Sequence, residues 1–472
     1  MPSQHWLAAA LLFLTTVELT VLVCILLPAG TEEYCDILQV LARTGFAALC
    51  IVGIATYSFR ERALLAIAAI LAALLLQSPQ GPGVFAAALD LAAFFGVFIA
   101  ALTIMKEAAT RSQSVTDVGL YLTNQPPGRR FYSVAIGGHI LGAFLNFSAV
   151  SLISPLIQKG ARAAPDENTR DLERRQLSAL IRGFSWILLW APTTLTQAVL
   201  LTLFTDVNYA ELIALGLFSS VLMIVLGRLV DRFDWRHSRP VQRGTGLIFP
   251  RRAAWVLAMV CLALLGATYT LRWLSGFTVA QSLMFVAPAI TVCWLLVQRS
   301  GHSAAPQTTR VTHLAYVSDV LRSAAPDLTR SAIALGLSGF IGRAAAHLLP
   351  ADSIAAWLGP SNISGWLFLS SLPLLITLGG QIALSPIVFV VFLGQIITVM
   401  PVLPVDQTYI VFALSVGWAL SMTSSPNATA TLLIASTCNI APTTLTWRWN
   451  ARYGLLCYIV FSGLFFWLSR AS

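Results

Sequence analysis

The sequence predicts an all-α polytopic membrane protein, with about 11 transmembrane helices plus two opposed re-entrant hairpins in an inverted-topology repeat. Three observations carry this expectation. Only 10% of the 472 residues are charged, where a soluble chain carries about a quarter. Mean hydropathy is +0.78, and apolar runs of about 20 residues, enough to cross a hydrocarbon core of about 30 Å, recur from end to end. The 29 Lys and Arg residues lie in the short loops between those runs, not in a basic domain. A net charge of +9 therefore reads as membrane topology, with the lipid bilayer and no nucleic acid as partner.

Candidate spans cover 7–27, 37–56, 63–77, 84–105, 183–205, 209–227, 253–274, 278–297, 331–349, 408–438 and 453–468. The first lacks a basic n-region, is too long for the apolar core of a signal peptide and has no clean small-residue cleavage site after it. It is expected to be a retained extra helix within residues 1–36. With a cytoplasmic N-terminus, simple alternation puts every basic residue except Arg43, Arg272, Arg343 and Arg470 on the cytoplasmic side. The opposite loops carry acids: Glu32, Glu33, Asp36, Asp206, Asp352 and Asp406. This asymmetry predicts a multi-pass protein of the bacterial inner membrane, its C-terminus periplasmic.

Two further apolar stretches do not fit the alternation. Stretch 133–158 has basic loops on both flanks, so it is expected to enter and leave on the cytoplasmic side. Stretch 364–400 has no basic flank and is expected to enter and leave from outside. Both are interrupted by Gly, Ser and Pro, and irregular backbone survives at membrane depth only inside protein or along a cavity. Residues 37–228 then form a first repeat, with hairpin 133–158 and a broken helix at 183–205. A basic cytoplasmic linker, 229–252, joins it to a second repeat of opposite sense, 253–472, with hairpin 364–400 and a broken helix at 408–438. Trp186 precedes Pro192 by six residues and Trp418 precedes Pro426 by eight, so the two broken helices align with a two-residue gap.

Proline removes an N–H and clashes with the carbonyl four residues back, so Pro192 and Pro426 should break their helices. Freed carbonyls with Ser, Thr and Asn oxygens suit a dehydrated Na⁺, and half-helix N-termini suit an anionic group. The candidates are Thr193, Thr194 and Thr196 in one half and Ser424, Ser425, Asn427 and Thr429 in the other. The hairpins add Asn146, Ser148 and Ser151, facing Gly380, Gln381 and Ser385. Small polar residues also serve ordinary helix packing in membranes. Their occurrence at matching places in two halves is what favours binding.

The run Asn146-Phe147-Ser148-Ala149-Val150-Ser151-Leu152-Ile153-Ser154-Pro155 resembles the Ser-Asn-Thr hairpin motif of the ion transporter superfamily, in particular its divalent-anion:sodium symporters. Ser424-Ser425-Pro426-Asn427-Ala428 resembles that superfamily's Thr-Pro-x-Asn stretch. The layout of one extra helix and two five-span repeats with opposed hairpins is also similar, over nearly the whole chain. The resemblance implies a homodimeric elevator-type symporter, with Na⁺ at Asn146, Ser148 and Asn427 and the solute between the hairpins. Three positions depart from it: Leu145 stands where the motif has Ser, Gly380-Gln381-Ile382 replaces Ser-Asn-Thr, and Pro192-Thr193-Thr194 lacks the Asn. These are the positions that bear on dicarboxylate recognition and a two-sodium stoichiometry.

Charges at bilayer depth are costly and usually functional. Arg343, one turn from His347, is a candidate contact for a substrate anion or, equally, a structural partner of Asp90 or Asp352. His139 reads as a hydrogen-bonded packing residue that could titrate near neutral pH. Glu18 and Asp90 are the clear membrane acids. The seven cysteines have no CxxC spacing and read as apolar fillers.

The expected function is secondary active transport, by symport, of a small anionic organic solute, with no cofactor and with Na⁺ or H⁺ as coupling ion. The alternatives are an exporter or the membrane subunit of a binding-protein-dependent carrier of the same superfamily, and a lipid-carrier flippase. An enzyme is not expected, for the chain has neither a nucleotide loop nor a Ser–His–Asp arrangement.

Overall fold

A computed structural model describes residues 4–24, 32–57, 59–162, 169–235, 248–301, 313–348, 363–382, 386–398, 400 and 402–471. The described residues are helical throughout their regular structure, without a strand. In chain order the helices are α1 (Gln4–Cys24), α2 (Glu32–Val52), α3 (Phe59–Leu75), α4 (Gly81–Thr110), α5 (Gln113–Thr123) and α6 (Pro127–Leu145). There follow α7 (Phe147–Arg162), α8 (Thr169–Phe184), α9 (Leu195–Leu203), α10 (Tyr209–Asp234), α11 (Arg251–Ser275) and α12 (Val279–Gly301). The last are α13 (His313–Leu348), α14 (Gly365–Gln381), α15 (Pro386–Thr398), α16 (Gln407–Ser424), α17 (Thr429–Cys438) and α18 (Ala451–Ala471).

Among the described residues nine helical segments are long and apolar enough to cross a membrane, against eleven candidate spans in the sequence. The two that drop out have identifiable causes. α3 is only 17 residues long, and stretch 183–205 is interrupted between α8 and α9. α13 begins well before residue 331, because its helix continues through Pro326 and past Arg322 and Arg330. Hydropathy marks where the apolar part starts, whereas the backbone hydrogen bonds run on. The outward face of α10 carries Phe218, Val221, Val225 and Leu229, all exposed at helical spacing. Such a stripe is a liability in water and an ordinary surface in lipid.

The chain forms two compact units, each drawing on both of its halves. The first comprises 1–112 with 258–350 and is built around α4 and α13. Small buried residues, Ala92 on α4 and Ala332 on α13, let the helices approach closely. Phe85 and Phe340 meet edge-on at 5.7 Å. Asp90 is gripped through both oxygens by Arg43, at 2.6 and 2.8 Å. Asp90 therefore pairs with Arg43 and not with Arg343, because packing of α2 on α4 brings Arg43 to it. Arg343 belongs to this first unit, half-buried on α13, and its alternative partner Asp352 lies outside the described residues.

The second unit comprises 113–257 with 351–472. Its centre is α16, in which every residue from Thr408 to Thr423 is buried. Around it Phe412, Phe461 and Phe465 pack ring on ring, with centroids 6.0 to 6.2 Å apart. Trp186 donates to the Tyr453 hydroxyl at 2.7 Å, and Tyr453 donates onward to the Met223 carbonyl at 3.0 Å. Arg182 and Arg130, which the sequence places in cytoplasmic loops, are both buried here. α8 starts at Thr169 and carries Arg182 into the interior. There its guanidinium donates to Asn450 Oδ1 at 2.8 Å and to the Gly227 and Trp449 carbonyls, each at 3.2 Å.

Candidate functional site

α6 and α7 form a helical hairpin that reverses at Asn146, whose backbone sits at φ 52, ψ −136. Such a conformation costs a non-glycine residue about 1–3 kcal/mol and persists only where its surroundings impose it. Two bonds hold the turn: Asn146 N–H to the Gly142 carbonyl at 2.7 Å and Ala149 N–H to the Asn146 carbonyl at 3.1 Å. Asn146 Oδ1 is buried, yet it accepts no hydrogen bond. A buried acceptor left so forfeits about 1–3 kcal/mol, which makes it an informative atom.

The first interrupted helix faces this hairpin. α8 passes into a 3₁₀ turn, Ser185–Leu189, and the chain then runs through Trp190, Ala191, Pro192, Thr193 and Thr194 before α9 begins. Within the Trp186–Pro192 interval Ile187, Leu188 and Leu189 belong to this turn, and three residues at about 2 Å each rise about 1.5 Å more than in an α-helix, one α-helical residue. The 3₁₀ turn thus accounts for about half of the two-residue gap between the Trp–Pro spacings. Every residue from Ala191 to Leu200 is buried. The Thr193 hydroxyl donates to the Ala143 carbonyl on α6, and Thr194 donates to Ala191 at 2.7 Å. His139 is satisfied on both nitrogens, against Gly183 O at 2.8 Å and Trp190 Nε1 at 3.0 Å. Indole N–H can only donate, so Nε2 accepts, Nδ1 carries the proton and the ring is neutral.

The second pair repeats the device. α16 stops at Ser424, the chain passes through Ser425, Pro426, Asn427 and Ala428, and α17 resumes at Thr429. Ser425 donates to the Gly380 carbonyl at 2.6 Å and accepts from Asn427 N–H at 3.1 Å. Asn427 Nδ2 donates to the Gly380 and Gln381 carbonyls, at 3.1 and 3.3 Å. Gln381 Nε2 donates back to the Ser424 carbonyl at 3.2 Å, while its oxygen accepts from Trp447 Nε1 at 2.9 Å. Glycine at 380 permits this approach, since a Cβ there would stand 3.0 Å from Ser425 Cβ. In this half Ser424, Asn427, Thr429 and Gln381 remain partly exposed.

The structure thus brings Asn146, Pro192, Thr193, Thr194, Gly380, Gln381, Ser424, Ser425, Pro426, Asn427 and Thr429 into one compact unit. Ser151 uses its hydroxyl on the Phe147 carbonyl of its own helix. Ser385 and the side chain of Ser148 lie outside the described residues, and Arg343 falls in the other unit. Gln197 was missed by the sequence reading. It is buried, donates to the Leu188 carbonyl at 2.8 Å and leaves its oxygen unpaired. Its proximity in sequence to Pro192 is the one signal that could have found it.

The two halves differ in which buried oxygens are left over. The first holds buried oxygens without donors on Asn146, Thr196 and Gln197. At the second junction the Gly380, Gln381 and Ser424 carbonyls already receive amide N–H groups from the chain itself.

The fold and site define a polytopic helical membrane protein in which the α6–α7 hairpin and the C-terminal end of α14 are each tied to an interrupted helix. No family model and no curated protein matches the chain. Among solved structures it is similar to the YdaH transporter of Alcanivorax borkumensis, 17% identical, with a TM-score of 0.55 over 88% of this chain and 97% of that one. It is also similar to Neisseria gonorrhoeae MtrF, described with a class of antimetabolite efflux pumps, at 13% identity and a TM-score of 0.52 over 87% and 94%.

Proposed function

We propose that this chain is a secondary active transporter that moves a small anionic organic solute across the inner membrane, coupled to Na⁺ through the first hairpin. One observation carries the reading. Both hairpins and both proline breaks belong to one compact unit, and the first pair leaves Asn146 Oδ1 buried and unsatisfied. A neutral carboxamide oxygen does not take up a proton at physiological pH but is a good ligand for a hard cation. Stretches 131–158, 183–205, 364–400 and 407–438 contain no Asp, Glu, Lys or Arg. That composition favours Na⁺ over H⁺ and a monovalent over a divalent ion, which binds chiefly through carboxylates.

The N-termini of α9 and α17 have no side-chain cap, so their first N–H groups keep the partial positive charge that attracts anions. The partly exposed Ser424 and Thr429, on either side of the break before α17, are the proposed solute contacts. With this reading go opposed re-entrant entry of the hairpins, an inverted repeat, a homodimer and a cytoplasmic N-terminus. The likeness to the YdaH transporter and to MtrF, described with efflux pumps, supports transport.

The test is transport by purified protein in liposomes, with carboxylates, sulfur oxyanions and sugars on offer and Na⁺ and pH gradients imposed separately. Accumulation of an anion down the Na⁺ gradient, lost in Asn146→Ala, is the expected result. Reversing the gradient settles import or export. Absence of accumulation under either gradient rules the reading out.

A further inference from the structure

We infer that the second hairpin–break junction takes no coupling cation, because the carboxamides of Asn427 and Gln381 stand in its place, leaving one Na⁺ per chain at Asn146. This rests on the transporter reading above.

A dehydrated cation at such a junction is held by backbone carbonyls released where a helix stops. Among the described residues of the second junction, three such carbonyls belong to Gly380, Gln381 and Ser424. Each already faces a side-chain N–H: Asn427 Nδ2 lies 3.1 Å from Gly380 O and 3.3 Å from Gln381 O, and Gln381 Nε2 lies 3.2 Å from Ser424 O. With two carbonyls facing it, the end of Asn427 must present nitrogen, since oxygen there would set three acceptors together. Gly380 O also receives the Ser425 hydroxyl at 2.6 Å, so both of its lone pairs are engaged. A cation placed among these groups would meet N–H donors as well as carbonyls.

Nor is Gln381 free to swing aside. Its nitrogen also donates to the Thr377 carbonyl at 3.2 Å, and its oxygen holds the indole N–H of Trp447 at 2.9 Å. Trp447 in turn is carried on a π-helical turn, Thr444–Arg448.

The first junction differs in its side-chain oxygens. There Thr193 donates to the Ala143 carbonyl and Gln197 Nε2 to the Leu188 carbonyl, the latter at 2.8 Å. Its own carboxamide, Asn146, keeps a buried oxygen without a donor, as do Gln197 and Thr196 on α9. Side chains engage carbonyls at both junctions, and what sets the first apart is its buried side-chain oxygens left without donors. The two halves repeat a backbone device but divide the labour: the first takes the cation, while the second is a latch that closes on itself.

The experiment is equilibrium binding of ²²Na⁺ to the purified full-length protein, counted per chain. One ion per chain with a hyperbolic isotherm, abolished in Asn146→Ala, is expected. Two ions per chain in the wild type overturn the inference and leave Na⁺ coupling standing. No bound ion removes Na⁺ coupling itself, and this inference with it. An Asn146→Ala protein that still binds one ion overturns the placement. Asn427→Asp replaces the donor with a carboxylate facing the same carbonyls, and should raise the count to two with a new Na⁺-dependent rise in Tm. A folded Asn427→Asp protein that stays at one ion contradicts the inference. Should that variant not fold, the wild-type count decides.

Discussion

Thr193 and Asn427 hold the same place, the residue after the proline of an interrupted helix, and do the same work. Each donates a side-chain hydrogen bond to a carbonyl near the end of a hairpin's first arm, Thr193 to Ala143 and Asn427 to Gly380. The hairpins are thereby fastened to the breaks by side chains, where proline has removed a backbone donor. Thr193→Val keeps the shape and deletes the hydroxyl, leaving the Ala143 carbonyl without this donor. The expected loss is about 1–3 kcal/mol of stability, read as a lower Tm in detergent, with Thr193→Ser close to wild type. Equal Tm values for Val and Ser would remove the tie.

Asn146 combines a strained backbone with an unsatisfied oxygen, and two substitutions separate them. Asn146→Gly relieves the positive φ and should raise Tm without Na⁺ by up to about 1–3 kcal/mol equivalent. Asn146→Ala keeps the strain. Both should lose the stabilisation that Na⁺ gives the wild type. A Na⁺-dependent Tm surviving in Asn146→Gly would show that the side chain is no ligand.

Gly183 and Gly266 predict opposite outcomes for the same change. A Cβ on Gly183 would drive into the Ala135 carbonyl of α6, whereas one on Gly266 meets nothing within 4 Å. Gly183→Ala should cost about 1–3 kcal/mol or more, because backbone cannot yield as a side chain does. Gly266→Ala should gain about 0.5–1 kcal/mol of helix stability. Thermal melts of the two variants side by side decide; similar values would mean that α6 and α8 are not packed this closely.

Arg182 is a buried cation held by neutral partners, with its guanidinium 4.9 Å from the centre of the Tyr453 ring. Arg182→Ala leaves Asn450 Oδ1 and the Gly227 and Trp449 carbonyls without that donor, a loss of about 3 kcal/mol or more. Arg182→Lys recovers only part, since an ammonium cannot match the guanidinium fork. Unchanged melting of Arg182→Ala would contradict its place in the interior.

The sequence by itself determined the class of protein. Hydropathy summed over some 20 residues is a local property, and so are the positions of Pro192, Pro426 and Asn146. The tertiary structure decided which polar groups are committed and which are left over. Thr194 and Ser151 turn back on their own helices. Arg43 claims Asp90, Arg182 reaches Asn450 across 268 residues, and Gln381 is caught between Ser424 and Trp447. The physical reason is that a hydrogen bond needs two partners at about 3 Å, and the second partner is chosen by packing between distant segments. One chain read in order shows what each residue can offer, and only the folded unit shows what is already taken.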